Sequence, residues 1–291
     1  MSLHLKLKAL IPAALAAVFC GSAGAATYTP GDLLLGFVAG GGQGSDATLV
    51  VNLGSASSYR DAFDSGTGNL SVATIGSQLT TQFGAGWYDR TDLFVSLYAT
   101  PSSSTTSSTL VNQDPARTLY VSQARTDAGL MGSAASGGWT VDGNTIMTTG
   151  ATTILGTSSR FAATNADAFN VAIIADPDPN TLDEFTRPTT STSFGAFDGG
   201  IEQIFGAGSW GSYGAAGPME AALDLYRLQA RNDVAGQYGQ GEAIREGAYT
   251  GTFTIGQGGT VSYFSSVPEP GSVLMLGLAF AGTLFGRRRR A

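Results

Sequence analysis

Short apolar runs with a period of two, broken by Gly, Ser and Thr, dominate the chain between residues 31 and 264. Asp32 to Val38 is one such run and Ala47 to Gly54 a second. The Gly-rich stretch Ala39 to Asp46 lies between them, so the pair reads as a hairpin. In Asp92 to Ala99, Leu93, Val95 and Leu97 alternate with Phe94, Ser96 and Tyr98, which predicts a strand partly buried on both faces. Thr118 to Gln123, Trp139 to Met147 and Phe169 to Ala175 read as three more strands. Gly247 to Thr254 and Gly259 to Phe264 form a last hairpin across Ile255 to Gly258, with Tyr249, Phe253, Val261 and Tyr263 available for one face. Ser71 to Phe83 differs. Val72, Ile75, Leu79 and Phe83 recur at helical spacing, with Asn69 or Ser71 as the cap. Ala222 to Leu228 fits either period: Met219, Ala222, Leu223 and Tyr226 suit a helix, while Leu223-Asp224-Leu225 alternates like a strand. No strand–helix–strand alternation is visible. The pattern predicts a mainly β fold, a single β-sandwich-like domain with a few short helices.

Both ends depart from this pattern. Lys6 and Lys8 precede an apolar run from Leu10 to Phe19, and only small residues follow to Ala26. Ala23-Gly24-Ala25 is an A-x-A site for signal peptidase, so residues 1–25 read as a signal peptide cut after Ala25. The apolar run is too short for a membrane span. A lipoprotein reading of Cys20 is disfavoured, because Phe19 precedes it and Ala17 stands where a Leu is wanted. At the other end, Val267-Pro268-Glu269-Pro270 is an extended, non-helical peptide. It is followed by an apolar stretch, Val273 to Phe285, and by Arg287, Arg288, Arg289 and Arg290. Gly271 to Gly286 spans about 24 Å as a helix, short for a hydrocarbon core of roughly 30 Å. The arginines hold that end of the transmembrane helix in the cytoplasm. The chain thus divides into a signal peptide (1–25), an exported β-rich domain (26–266) and a tail (267–291).

Charge changes the picture once the ends are set aside. The whole chain has a formal charge of −7, but the body carries nine arginines against 21 acidic residues, a net −12. Such a body repels nucleic acid. Cys20 and His4, the chain's one Cys and one His, and both lysines lie in the signal. The body therefore has no imidazole, thiol or amine. Ser-His-Asp and Cys-His catalysis, His- or Cys-ligated metals, Schiff-base chemistry and a Walker lysine are excluded. Carboxylate chemistry and oxygen-ligated cations survive.

The remaining candidate chemistry is sparse. Gly40-Gly41-Gly42-x-Gly44 suggests a phosphate loop, but no Lys follows it and it opens a strand rather than a helix. Asp176, Asp178 and Asn180 match the first ligands of a calcium loop; Thr181 then replaces the turn Gly and Arg187 the bidentate Glu, leaving a weak Ca²⁺ candidate. The eight Ser/Thr residues from Ser102 to Thr109 read as an exposed loop. Trp87, Tyr88, Trp139, Trp210 and Tyr213 are candidate stacking platforms for polysaccharide, weighed against core packing. Asp183 or Glu184 with Glu202 or Glu220 would be needed for a carboxylate-only glycosidase, and no pair stands out. No cofactor is expected, and no catalytic residue.

The tail, with its Val267-Pro268-Glu269-Pro270 box, short apolar span and terminal arginines, resembles the PEP-CTERM sorting signal. The resemblance implies that exosortase, a membrane-embedded cysteine transpeptidase, recognises Pro268, Glu269 and Pro270 and cuts nearby. It also implies an exported protein, transiently anchored by its C-terminus and then passed to the envelope or outside, often beside exopolysaccharide. Gly31 to Phe37, Pro115 to Val121, Leu223 to Leu228 and Gly251 to Ile255 are similar to pieces of other exported PEP-CTERM proteins. That likeness favours a strand at Leu223 to Leu228 and implies no activity. The function expected is a non-enzymatic envelope or extracellular-matrix protein associated with biofilm; the alternative is a polysaccharide-binding module.

Overall fold

The computed structural model describes residues 28–65, 69–90, 92–103, 114–125, 144–164, 170–175, 203–204, 221–229 and 247–265. The predicted signal peptide, the tail with its predicted transmembrane segment, and the acidic stretch at 176–184 lie outside the described residues.

The first hairpin forms as the pattern requires. β1 (Asp32–Ala39) and β2 (Ala47–Ser55) pair antiparallel, with Leu35 opposite Val51 and Phe37 opposite Leu49. Two further helices and a strand follow: α1 (Ala56–Ser65), β3 (Asn69–Thr74) and α2 (Gly76–Phe83). A 3-10 turn at Trp87–Asp89 leads into β4 (Leu93–Ala99). Then come β5 (Leu119–Ala124), α3 (Asn144–Ala163), β6 (Val171–Ala175), the short β7 (Gln203–Ile204), β8 (Ala221–Leu228), β9 (Ala248–Ile255) and β10 (Thr260–Phe264).

All ten described strands join one sheet, in the order β3-β10-β9-β8-β5-β4-β1-β2-β6, with β7 on β4. Every described pairing is antiparallel. The fold is mainly β, as expected, but it is one continuous sheet and not two stacked ones. Its two faces bury separate clusters. On the first, Leu33, Leu35 and Phe37 of β1 share a core with Leu223 and Leu225 of β8, Phe253 of β9 and Tyr263 of β10. β1 and β10 stand five places apart in the strand order, so the sheet curls around this core. Tyr59 of α1, Leu79 and Phe83 of α2, and Trp87 fill it. Tyr59 packs edge-on against Phe253 and Tyr263, each at 5.0 Å between ring centres. Such pairs stabilise by about 0.5–1.5 kcal/mol each beyond their buried area. On the second face, Ala151, Ile154 and Phe161 of α3 cover Leu34, Val38, Val121 and Tyr226. A central strand buried on both sides needs apolar residues at both parities, which is what β1 and β4 supply.

Four local expectations change. The predicted helix over Ser71 to Phe83 begins only at Gly76, and Asn69 and Ser71 are strand residues paired with Phe264 and Ser262 of β10. The ladder with β10 outweighs a weak helical start, and Ile75 at the helix entrance supplies no side-chain cap. The predicted strand Trp139 to Met147 is overturned over Asn144–Met147, which open α3; its earlier residues lie outside the described ones. α1 was not anticipated, although Ala56, Tyr59 and Ala62 recur every third residue. Tyr249 falls on the second face, beside Tyr226, not with Phe253. The register explains it: Leu225 is opposite Gly251 but Tyr226 is opposite Tyr249, so Thr250 is an extra residue that reverses the side-chain parity. Gly251 makes this possible with φ +154. The ambiguous Ala221–Leu228 is a strand, hydrogen-bonded to β5 and β9.

Candidate functional site

Several of the described charges are drawn inward. Asp114, just before β5, is buried and accepts three donors. Arg60 of α1 reaches its Oδ1 from Nη1 at 2.9 Å, and Arg227 of β8 reaches it from Nε at 2.7 Å. The Tyr120 hydroxyl donates to Oδ2 at 2.7 Å. Arg227 projects on the same side of β8 as Leu223 and Leu225, so this network sits at the first core. Burial and then the Asp114 carboxylate push the Tyr120 phenol well above its ordinary range.

A second network lies on the opposite face. Arg125 follows β5, and its Nη1 donates to Asp224 Oδ1 at 2.7 Å and to Thr252 Oγ1 at 3.0 Å. Thr252 donates its one hydroxyl hydrogen to Asp224 at 2.7 Å, so the Tyr249 hydroxyl, 2.7 Å from Thr252, is the donor in that contact. The strand register brings them together: Gln123, Asp224 and Thr252 are direct cross-strand neighbours on β5, β8 and β9.

A fourth arginine explains the glycine-rich loop. Arg90 grips Asp92 through Nε and Nη2 at 2.9 and 2.8 Å. It also donates to the carbonyls of Gln43, at 2.6 Å, and Gly41, and to that of Phe83 at 3.3 Å. Hydrogen bonding to Arg90 holds the Asp92 carboxyl below the usual carboxylate range. The loop thus turns carbonyl oxygens towards a cation, Arg90, while the Gly41 amide faces the Asp92 carboxylate, an arrangement already filled by the protein's own ion pair and not a phosphate cradle. Gly44 closes it at φ +80, where an added Cβ would lie 2.6 Å from the Gln82 carbonyl.

The residues singled out from sequence fare unevenly. Trp87 is core, 2% exposed, and stacks edge-on against the half-buried Tyr88 at 5.7 Å; it is no exposed platform. Trp139, Trp210 and Tyr213 lie outside the described residues, as do Asp176, Asp178, Asn180, Asp183, Glu184, Glu202 and Glu220. Among the described residues no cluster of three or more metal-ligating acidic, His or Cys side chains exists. Among them, too, no helix is long and apolar enough to cross a membrane. Ala23, Ala25, Val267, Pro268, Glu269, Pro270 and Arg287 to Arg290 also fall outside them.

Residues 266–290 match the family described as PEP-CTERM protein-sorting motif. The chain carries a PEP-CTERM sorting signal. The match takes in the Val267 to Pro270 box, the apolar span and all four terminal arginines, at the positions the sequence pattern marks out. A PEP-CTERM signal implies export, a C-terminal membrane-anchored sorting segment and processing by exosortase. No curated protein and no solved structure matches the chain. The sorting motif lies in the tail, joined to a body whose arginine–carboxylate ties the alternation pattern alone does not reveal. One compositional signal did point to them: a body with nine arginines and no lysine. The planar guanidinium suits buried, bidentate pairing better than an ammonium does.

Proposed function

We propose that this is a non-enzymatic envelope or extracellular-matrix protein, delivered by signal peptidase and exosortase and contributing to biofilm. The observation that carries the reading is the PEP-CTERM motif at residues 266–290. The amino-terminal 25 residues act as the signal peptide. The stretch Val273 to Phe285 anchors the chain until exosortase cuts near Pro268-Glu269-Pro270, and the terminal arginines keep the stub in the cytoplasm. The body then acts outside the cytoplasmic membrane, in contact with exopolysaccharide but not with nucleic acid.

The character of the body supports a structural role over a catalytic one. Among the described residues the two buried carboxylates, Asp114 and Asp224, are each bound to arginine, which fits a structural cross-link. Without His, Cys or Lys the mature body has few other routes to catalysis. Polysaccharide binding is the second reading. It rests on the aromatics other than Trp87, and nothing in the geometry favours it over the first.

The test replaces Pro268, Glu269 and Pro270 together by alanine in the cell that exports the protein. The chain should then stay in the membrane fraction with its tail attached. Release at the wild-type level would end the sorting reading. A glycan array with the exported protein separates the two readings of the body: saturable binding to a neutral glycan would favour the binder.

A further inference from the structure

Arg117 is the exception among the arginines. It precedes β5 in the left-handed region, at φ 63, tied by its N–H to the Ser102 carbonyl at 2.8 Å. Non-glycine residues hold this conformation only where the surroundings impose it. The residue is 3% exposed. Its Nη1 donates to Thr148 Oγ1 of α3 at 2.9 Å, but Nε and Nη2, both buried, have no hydrogen-bond partner.

Those two atoms form one edge of the guanidinium. Their N–H groups point the same way, as a fork that fits the two oxygens of a carboxylate. The protein uses this edge repeatedly. Arg90 presents Nε and Nη2 to Asp92 at 2.9 and 2.8 Å. Arg227 presents the same edge to Asp114 at 2.7 and 2.6 Å. Arg60 presents it to Asp61, at 2.8 Å from each nitrogen. In Arg117 alone of these four, the edge faces no carboxylate.

The second observation concerns charge. Thr148 lies in the second turn of α3, which begins at Asn144, so the guanidinium is docked beside the positive end of a twenty-residue helix. A buried cation next to a helix N-terminus is doubly unfavourable without a counter-charge. Burial alone pushes the Arg117 pKa down, with no anion to offset it.

The geometry assigns the Nε/Nη2 edge of Arg117, beneath the first turns of α3, as a binding seat for the carboxylate group of a small monoanionic ligand. Monovalency follows from burial. One negative charge cancels the guanidinium, whereas a sulfate or hydrogen phosphate dianion leaves a net charge to be desolvated. Planarity follows from the fork, whose two parallel donors suit coplanar oxygens. The seat is independent of the tail and of the sorting reading.

The test is thermal unfolding of the full-length protein against sodium acetate, with sodium chloride exchanged to hold ionic strength constant, and a parallel series in sodium sulfate. Wild type should gain a rise in Tm with acetate that grows with the logarithm of its concentration above the dissociation constant, about 3–6 °C at ten times that constant, and less with sulfate. Arg117→Lys, which keeps the charge but loses the fork, should abolish the rise. Should that variant fail to fold, the Arg117 Nε–H resonance of wild type serves instead: it should shift on acetate addition and reach a plateau as the site fills. An acetate rise equal in Arg117→Lys, or an Nε–H signal that does not move or never saturates, would each show water alone at this edge and overturn the proposal. An equal or larger response to sulfate would overturn the carboxylate assignment.

Discussion

Arg125 and Asp224 are 99 positions apart in the chain and meet at 2.7 Å, with side chains 1% and 2% exposed. The contact fastens the end of β5 to β8, and Thr252 adds β9 to the same knot. Removing one partner strands a buried charge. Arg125→Met should therefore cost about 3–5 kcal/mol, read as a drop in the denaturation midpoint. The double variant Arg125→Met, Asp224→Leu should be more stable than Arg125→Met, because it removes the stranded charge as well. A double variant weaker than the single would contradict this account.

The Asp114 network predicts a graded response. Tyr120→Phe removes one neutral donor of three and should cost about 1–2 kcal/mol in urea unfolding. Asp114→Asn leaves Arg60 and Arg227 without their shared anion and should cost more than Tyr120→Phe. The reverse order would mean that the charge contributes less than the phenol.

Gly251 should tolerate no side chain. A Cβ there would lie 2.6 Å from both Cζ and Oη of Tyr263, and the backbone φ of +154 is already one that L-residues rarely adopt. Tyr263 cannot swing aside, because its hydroxyl donates to the Tyr59 carbonyl at 2.9 Å and its ring packs against Phe253. Gly251→Ala should cost about 2–4 kcal/mol, measured by thermal unfolding.

Alkali should unfold the body through its tyrosines. Burial raises the phenols of Tyr59, Tyr98, Tyr120 and Tyr249, and pushes Tyr226 up to about 12. A raised folded-state pKa means that the folded form keeps its proton longer. The stability it contributes is complete below the unfolded value, about 10, and is lost as pH rises through the folded values. Absorbance at 295 nm should show these phenols ionising together with the loss of circular dichroism. Full ionisation near pH 10 with the sheet intact would contradict their burial.

Acid acts on a different element. Asp92 has its pKa lowered by Arg90, so the stability it adds is present above its unfolded pKa and fades as pH falls through the folded one. Opening of the 39–46 loop should therefore precede global unfolding on acidification, as faster amide exchange at Gly41 and Gly44. Arg90→Lys should show that faster exchange already at neutral pH.

Much of this fold is legible in the chain because its strands follow one local rule. β1, β2, β4, β9 and β10 were plain from short apolar or alternating runs bounded by turn residues. Where a non-local partner decides, the pattern fails. Val72 looks helical with Ile75 and Leu79 until β10 pairs with Ser71 and Ala73 on either side of it. One extra residue, Thr250, moves Tyr249 to the other face, and no period announces a bulge. The one-sheet topology rests on pairings such as Leu223 with Phe253, whose register is set by packing. The sorting tail was legible because its recognition residues are contiguous. Arg125 and Asp224, or Arg60 and Asp114, were not, since only the folded register makes neighbours of them.

The account's central claim is that this chain is a sorted substrate, cut near Pro268-Glu269-Pro270. Peptide and intact-mass analysis of the protein recovered from the envelope and medium tests it directly. The predicted result is a carboxyl end in or next to the Val267 to Pro270 box, with the apolar span and Arg287 to Arg290 absent. Recovery of the exported protein with its carboxyl end at Ala291 would contradict it.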